Sequence, residues 1–108
     1  MTPMTQAWHK VATLEDLWEG EMMAVAVDDT DVLLLNIEGR VFAYENRCPH
    51  SGSRLSEGQL DGPFLTCSSH EWVFDCRFGQ GVNPASACLR QFDVRVDSDW
   101  VFISLEDE

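Results

Sequence analysis

Basic side chains are scarce in this sequence: 7 Lys plus Arg stand against 19 Asp plus Glu, a net charge of −12. That balance argues against a nucleic-acid partner, because phosphate binding needs a basic face. It argues equally against an anionic membrane surface. Long apolar runs are missing too. The longest spans Met22 to Val27, far short of the ~20 residues that cross a bilayer as a helix. Met1-Thr2-Pro3-Met4 is short and uncharged, and no apolar stretch follows it, so no secretory segment is expected. No nucleophile–base constellation stands out, and the chain by itself is not expected to be an enzyme. Linkers, low-complexity segments and strong helical periodicity are also lacking.

What is present reads as one small β domain spanning residues 1–108. The chain is 44% hydrophobic, enough for a core of modest size. Short apolar stretches alternate with turn residues. Strands are expected at Trp8 to Val11, Glu21 to Val27, Val32 to Ile37, Arg40 to Tyr44, Phe64 to Thr66, Trp72 to Phe74, Phe92 to Val96 and Trp100 to Leu105. Glu38-Gly39 marks a tight hairpin, Asp28 to Asp31 a turn, and Asp97-Ser98-Asp99 another. Thr13 to Trp18 reads as a helical turn or two, with Thr13 as N-cap and Glu15 and Asp16 at its positive end. The fold class is all-β, an antiparallel sandwich or barrel.

Two of the four cysteines fall into paired motifs, Cys48-Pro49-His50 and Cys67-Ser68-Ser69-His70, with sixteen residues between His50 and Cys67. Each pair offers one thiolate and one imidazole. Two Cys and two His suit a structural zinc ion, although Cys-x-His is an unusual zinc pair. They also suit a [2Fe–2S] cluster in which two cysteines hold one iron and two histidines the other. Pro49 stiffens the first loop, and Gly52 can take the positive φ that turns N–H groups toward sulfur. Metal-ligand spacing of the cysteines favours a reduced, cytoplasmic setting. Cys76 and Cys88 have no ligand spacing and are expected as free cysteines. His9 is expected on the surface. Arg54 and Arg77 read as solvated charges.

These pairs and their spacing resemble the Rieske family, and the resemblance covers nearly the whole chain. Within that family the chain is most similar to the ferredoxin component of toluene/alkene (di-iron) monooxygenases. Leu55-Ser56-Glu57-Gly58, His70-Glu71-Trp72-Val73-Phe74 and Gly79-x-Gly81-Val82-Asn83-Pro84 carry that likeness, with Cys88-Leu89 following. The resemblance implies a Rieske-type β-sandwich with a small cluster-binding subdomain at one end, its loops at about residues 46–85. It implies one [2Fe–2S] cluster per chain, with Cys48, His50, Cys67 and His70 as both the cofactor-binding and the metal-ligand set and no catalytic residue. It implies a third loop, Gly79 to Pro84, beside the cluster. It implies single-electron transfer from an NADH-dependent flavin/iron–sulfur reductase to a di-iron hydroxylase, by a carrier that is monomeric when free. The alternatives are the ferredoxin of a Rieske aromatic-ring dioxygenase and a Rieske-like small subunit of a nitrite reductase. Two departures stand out. Ser53 and Ser69 occupy positions where respiratory Rieske proteins carry a loop disulfide, and Trp72 stands where those proteins place a serine hydroxyl. Trp72 is open to two roles, a cluster cover or docking residue and plain packing.

Overall fold

Residues 32–37 form an almost wholly apolar stretch, Val32-Leu33-Leu34-Leu35-Asn36-Ile37, and all six are buried. A strand that alternated between core and water would not read this way. The computed structural model, which describes residues 8–49, 52–68, 72–83 and 88–105, shows the reason. Among the described residues ten strands carry the fold: β1 (His9–Thr13), β2 (Met22–Val27), β3 (Thr30–Ile37), β4 (Arg40–Glu45), β5 (Gln59–Asp61), β6 (Phe64–Thr66), β7 (Val73–Asp75), β8 (Gln80–Asn83), β9 (Gln91–Asp97) and β10 (Trp100–Ser104). They form a six-stranded sheet in the order β1-β10-β9-β4-β3-β2 and a four-stranded sheet in the order β5-β6-β7-β8, and every pairing is antiparallel. In the larger sheet β1 and β2 return close to each other, so it nearly closes.

β3 and β4 are buried on both faces. Val32, Leu34 and Ala43 point into the barrel, where they meet Phe92, Val101, Ile103 and Leu17. Leu33, Leu35, Ile37, Phe42 and Tyr44 point the other way, against Leu55, Leu65, Phe74 and the thiols of Cys48, Cys67 and Cys76. The smaller sheet therefore rides on the outer face of β3–β4. The family resemblance implies a small subdomain at one end, and this sheet is the smaller of the two.

Turn chemistry follows the sequence closely. Glu38 and Gly39 both have positive φ (55° and 91°), as a two-residue hairpin requires. The expected four-residue turn at Asp28 to Asp31 is shorter. Thr30 pairs with Val27 and Asp31 with Ala26, which leaves Asp28-Asp29. The expected helix is a single 3-10 turn at Leu14–Asp16. Thr13 makes no backbone cap there; its hydroxyl donates to the Asp16 carboxylate at 2.9 Å. His9 is half-buried rather than exposed, because β1 pairs it with Ile103. Gly79 to Pro84 is not a loop in its described part, since Gln80–Asn83 forms β8.

Candidate metal centre

Each cysteine of the two motifs follows a strand of a different sheet. β4 runs out through Asn46 and Arg47 to Cys48, and β6 ends one residue before Cys67. Both thiols are completely buried in the same apolar cluster, with Leu55, Leu65 and Phe74. Each then opens a short loop that its own backbone closes. The Cys48 N–H donates to the Ser53 carbonyl at 2.8 Å, and the Gly52 N–H donates to the Cys48 carbonyl at 2.9 Å. The Cys67 N–H donates to the Trp72 carbonyl at 2.8 Å. Gly52 has φ +78°, a conformation few other residues adopt. His50 lies within the 48–53 loop in sequence and His70 within 67–72. Both histidines fall outside the described residues, as do Ser69, Glu71, Pro84 and the chain end at 106–108.

The first loop is fastened at both ends to the start of β3. On one side the Arg54 guanidinium donates to both Asp31 oxygens, at 2.8 and 3.2 Å. On the other, the buried Asn46 amide donates to Asp31 at 3.3 Å and to the Ser56 hydroxyl at 3.0 Å, while its oxygen accepts from the Ser56 N–H at 2.8 Å. The Arg54 hydrogen bonds hold the Asp31 carboxyl below the usual carboxylate range, and Asn46 adds to this. Asn46 was not singled out by the sequence. Its only signal is an amide placed between a strand and a ligand motif.

Beneath the second loop, the buried Tyr44 hydroxyl donates to the Cys76 carbonyl at 2.5 Å. Burial raises the Tyr44 phenol and pushes the Cys76 thiol up to about 12, with the Asp75 carboxylate contributing to both. Cys76 is thus a neutral apolar filler at any ordinary pH. Cys88 is exposed, and among the described residues no disulfide joins any of the cysteines. Trp72 is half-buried and packs on this core, its ring 6.4 Å from that of Phe74. Arg77 and Asp75 form a bidentate pair with contacts of 3.0 and 2.7 Å. Asp75 sits opposite Phe64, at the end of β6–β7 away from Cys67. Neither Arg54 nor Arg77 is a lone solvated charge.

The profile of the Rieske [2Fe-2S] domain family matches residues 7–93, a span that contains both Cys/His pairs. The chain belongs to the Rieske [2Fe-2S] domain family. Among its relatives is the ferredoxin component of the alkene monooxygenase system of Xanthobacter autotrophicus (strain ATCC BAA-1158 / Py2). It is 45% identical over 98 residues, which is 89% of this chain and 80% of that one. The ferredoxin component of the naphthalene 1,2-dioxygenase/salicylate 5-hydroxylase systems of Ralstonia sp is 31% identical, over 95% of this chain and 100% of that one. Among solved structures, the ferredoxin of carbazole 1,9a-dioxygenase from Nocardioides aromaticivorans IC177 superposes with a TM-score of 0.84 at 28% identity, covering 92% of this chain and 98% of that one. A complex of reduced oxygenase and oxidised ferredoxin in carbazole 1,9a-dioxygenase gives a TM-score of 0.86 at 28% identity, covering 96% and 98%. These relatives are named as ferredoxin components, carriers rather than catalysts.

The Rieske cofactor is a [2Fe–2S] cluster, and the described donors fit it. Two thiols, fully buried and converging from two loops, offer the soft sulfur ligands that iron–sulfur clusters take. Burying two bare thiolates in apolar surroundings would be costly; two ferric ions and two sulfides would carry the two positive charges that offset them.

Proposed function

We propose that this protein is an electron-transfer ferredoxin that carries single electrons from an NADH-dependent flavin/iron–sulfur reductase to the di-iron hydroxylase of an aromatic or alkene monooxygenase system. The observation that carries the reading is the 45% identity with the alkene monooxygenase ferredoxin component over 89% of the chain, together with the two buried cysteines. The cluster supplies a one-electron couple when bound, and Cys48, His50, Cys67 and His70 hold it. The chain's own residues keep the site dry and fixed. Leu55, Leu65 and Phe74 exclude water from the thiol side, and Asn46, Arg54 and Tyr44 brace the loops. Two ferric ions, two sulfides and two thiolates sum to zero, so the oxidised protein stays near −12 and one electron adds a single negative charge. Among the described residues no helix is long and apolar enough to cross a membrane, and the reading places the protein in the cytoplasm as a monomer when free. The second reading, a ferredoxin serving a Rieske dioxygenase, is supported by the 31% identical naphthalene-system relative.

Reconstitution decides between them. With NADH, the flavin reductase and a di-iron hydroxylase, product formation is expected only when the ferredoxin is added. Turnover with a mononuclear-iron dioxygenase and none with a di-iron hydroxylase would favour the second reading. No electron delivery to either would end both.

The reduction potential is expected in the lower part of the Rieske range of roughly −150 to +300 mV, below about 0 mV. Serine at 53 and 69 leaves the loops without a disulfide, and Trp72 offers no hydroxyl to a sulfide. Fewer hydrogen bonds to sulfur stabilise the added electron less. Protein-film voltammetry placing it well above about +100 mV would refute this.

A further inference from the structure

The two buried cysteines reach the site by different means. Cys67 follows β6 directly, and the β6–β7 ladder runs up to it. Thr66 pairs with Val73, and the Cys67 N–H donates to the Trp72 carbonyl at 2.8 Å. Strand pairing sets its position. Cys48 lies beyond the ladder of its own strand. The last rung between β3 and β4 joins Val32 to Glu45, and one more backbone bond follows, from the Asn46 N–H to the Asp31 carbonyl at 2.8 Å. The chain then turns, with the Arg47 N–H donating to the Glu45 carbonyl at 2.8 Å, and leaves the sheet before Cys48.

A side chain takes over where that ladder ends. Asn46 is 3% exposed. Its Oδ1 accepts from the Ser56 N–H at 2.8 Å, and its Nδ2 donates to the Ser56 hydroxyl at 3.0 Å. Ser56 lies in the 3-10 turn Leu55–Glu57, at a helix start where backbone N–H groups lack a helical partner. Asn46 supplies one from ten residues away. The same turn is set against the other cysteine. Leu55 is wholly buried, and the Gly58 N–H donates to the Leu55 carbonyl at 2.9 Å. Gly58 lies so close to the Thr66 backbone that a Cβ would stand 2.0 Å from its carbonyl oxygen, and Thr66 precedes Cys67. The path from Cys48 through Asn46, Ser56, Gly58 and Thr66 to Cys67 therefore crosses from one sheet to the other through one buried amide. Asn46 also donates to Asp31 at 3.3 Å, a longer contact to a half-exposed carboxylate that Arg54 already holds.

We propose that Asn46 is a positioning residue for electron transfer: it fixes Cys48 relative to Cys67 and so holds the two thiols at one spacing in both oxidation states of the cluster. The proposal rests on the electron-carrier reading for its purpose, while the ligand spacing itself is a property of the chain alone. Groups that touch only the ligand-bearing backbone still orient the ligands and tune the metal. A site held to within about 0.5 Å by locked side chains has little to rearrange when its charge changes. The Ser56 side of Asn46 carries this role and the Asp31 side does not. A buried hydrogen bond is costly to lose, whereas an ion pair as exposed as Arg54–Asp31 contributes little.

The test uses the cluster-loaded protein alone. Iron release to a chelator is timed for Asn46→Ala, Ser56→Ala, Arg54→Gln and Val101→Ala, well below the melting temperature of each, and EPR g values are recorded after reduction. Val101 is fully buried in the barrel core, so its variant loses stability without touching Asn46 or Ser56. Asn46→Ala is expected to release iron about tenfold faster, a barrier change of about 1.4 kcal/mol, with shifted g values. Ser56→Ala keeps the bond from its own N–H and is expected to give about a threefold change in the same sense. Arg54→Gln and Val101→Ala are expected to match wild type in both readouts. If Asn46→Ala takes up no cluster, Ser56→Ala against Arg54→Gln decides. Release and g values shifted as far by Val101→Ala as by the Asn46 variant, or Ser56→Ala no different from Arg54→Gln, would show that Asn46 serves stability alone and overturn the proposal. Neither readout needs a partner protein, so failure of the carrier reading in reconstitution is seen separately.

Discussion

Replacing Cys48 or Cys67 by serine is expected to yield protein without the normal iron–sulfur chromophore, whereas the wild-type chain should hold about two irons and two sulfides and no stoichiometric zinc. The same loss is expected for His50→Ala and His70→Ala. The argument from geometry is strongest for the cysteines. Both are wholly buried, both open a loop closed by its own backbone, and both lie in one apolar cluster. A serine there presents a harder, shorter donor in a place shaped for sulfur. The variants are not expected to unfold. The barrel core around Val32, Leu34, Phe92, Val101 and Ile103 forms a separate apolar cluster, so far-UV circular dichroism should keep its β signature while the visible bands vanish. A zinc module behaves differently, since its fold depends on the ion. Iron, sulfide and zinc analysis of wild type, with spectra of the four variants, makes the check. A colourless wild-type protein carrying one zinc would sink the assignment.

Much of this was legible in the sequence, for local reasons. The β3–β4 hairpin is written in Glu38-Gly39, because only left-handed residues close so short a turn. The paired motifs are written in their spacing, and the fold buries both of their cysteines in one apolar cluster, while their histidines lie outside the described residues. Other features depend on what the fold brings together, and no local pattern records that. β5 and β8 are short and rich in Gln, Asp, Asn and Gly, with one β-branched residue, Val82, and no aromatic between them, so they carry little of the usual strand signature; they become strands by pairing with β6 and β7. Asp75 reads in sequence as part of the stretch that follows the second Cys/His pair. The register places it at the opposite end of its strand, neutralised by Arg77. Asn46 reads as an ordinary loop amide, and its buried network depends on Asp31 and Ser56 arriving from elsewhere. The backbone hydrogen bond from the Glu45 N–H to the Arg90 carbonyl depends on Arg90 returning to β4 after more than forty residues of chain. Charge counted along the sequence records only the net acidity.

Gly58 shows how closely the two cluster loops depend on one contact. It follows the second 3-10 turn, Leu55–Glu57, and leads into β5. Its φ is −85°, so backbone freedom is not the reason for glycine here. Space is: a Cβ at this position would stand 2.0 Å from the Thr66 carbonyl oxygen. That oxygen is backbone, one residue before Cys67, and cannot swing aside as a side chain can. Gly58→Ala must therefore push apart the exit of the first loop and the entry of the second. The cost is expected at the upper end of the range for overpacking, about 3 kcal/mol, a large share of the 5–15 kcal/mol that holds a typical domain together. In a domain this size that corresponds to a fall in Tm on the order of 15 °C. Because Cys67 is displaced, cluster content should fall as well. Gly62→Ala is the matched comparison. Gly62 has φ +59° with nothing within 4 Å of an added Cβ, so its variant bears only left-handed backbone strain of about 1 kcal/mol. Thermal melts and iron content of the two variants side by side make the measurement. If Gly58→Ala melts no lower than Gly62→Ala and keeps its full iron, the close approach of the two loops is not what sets glycine at this position.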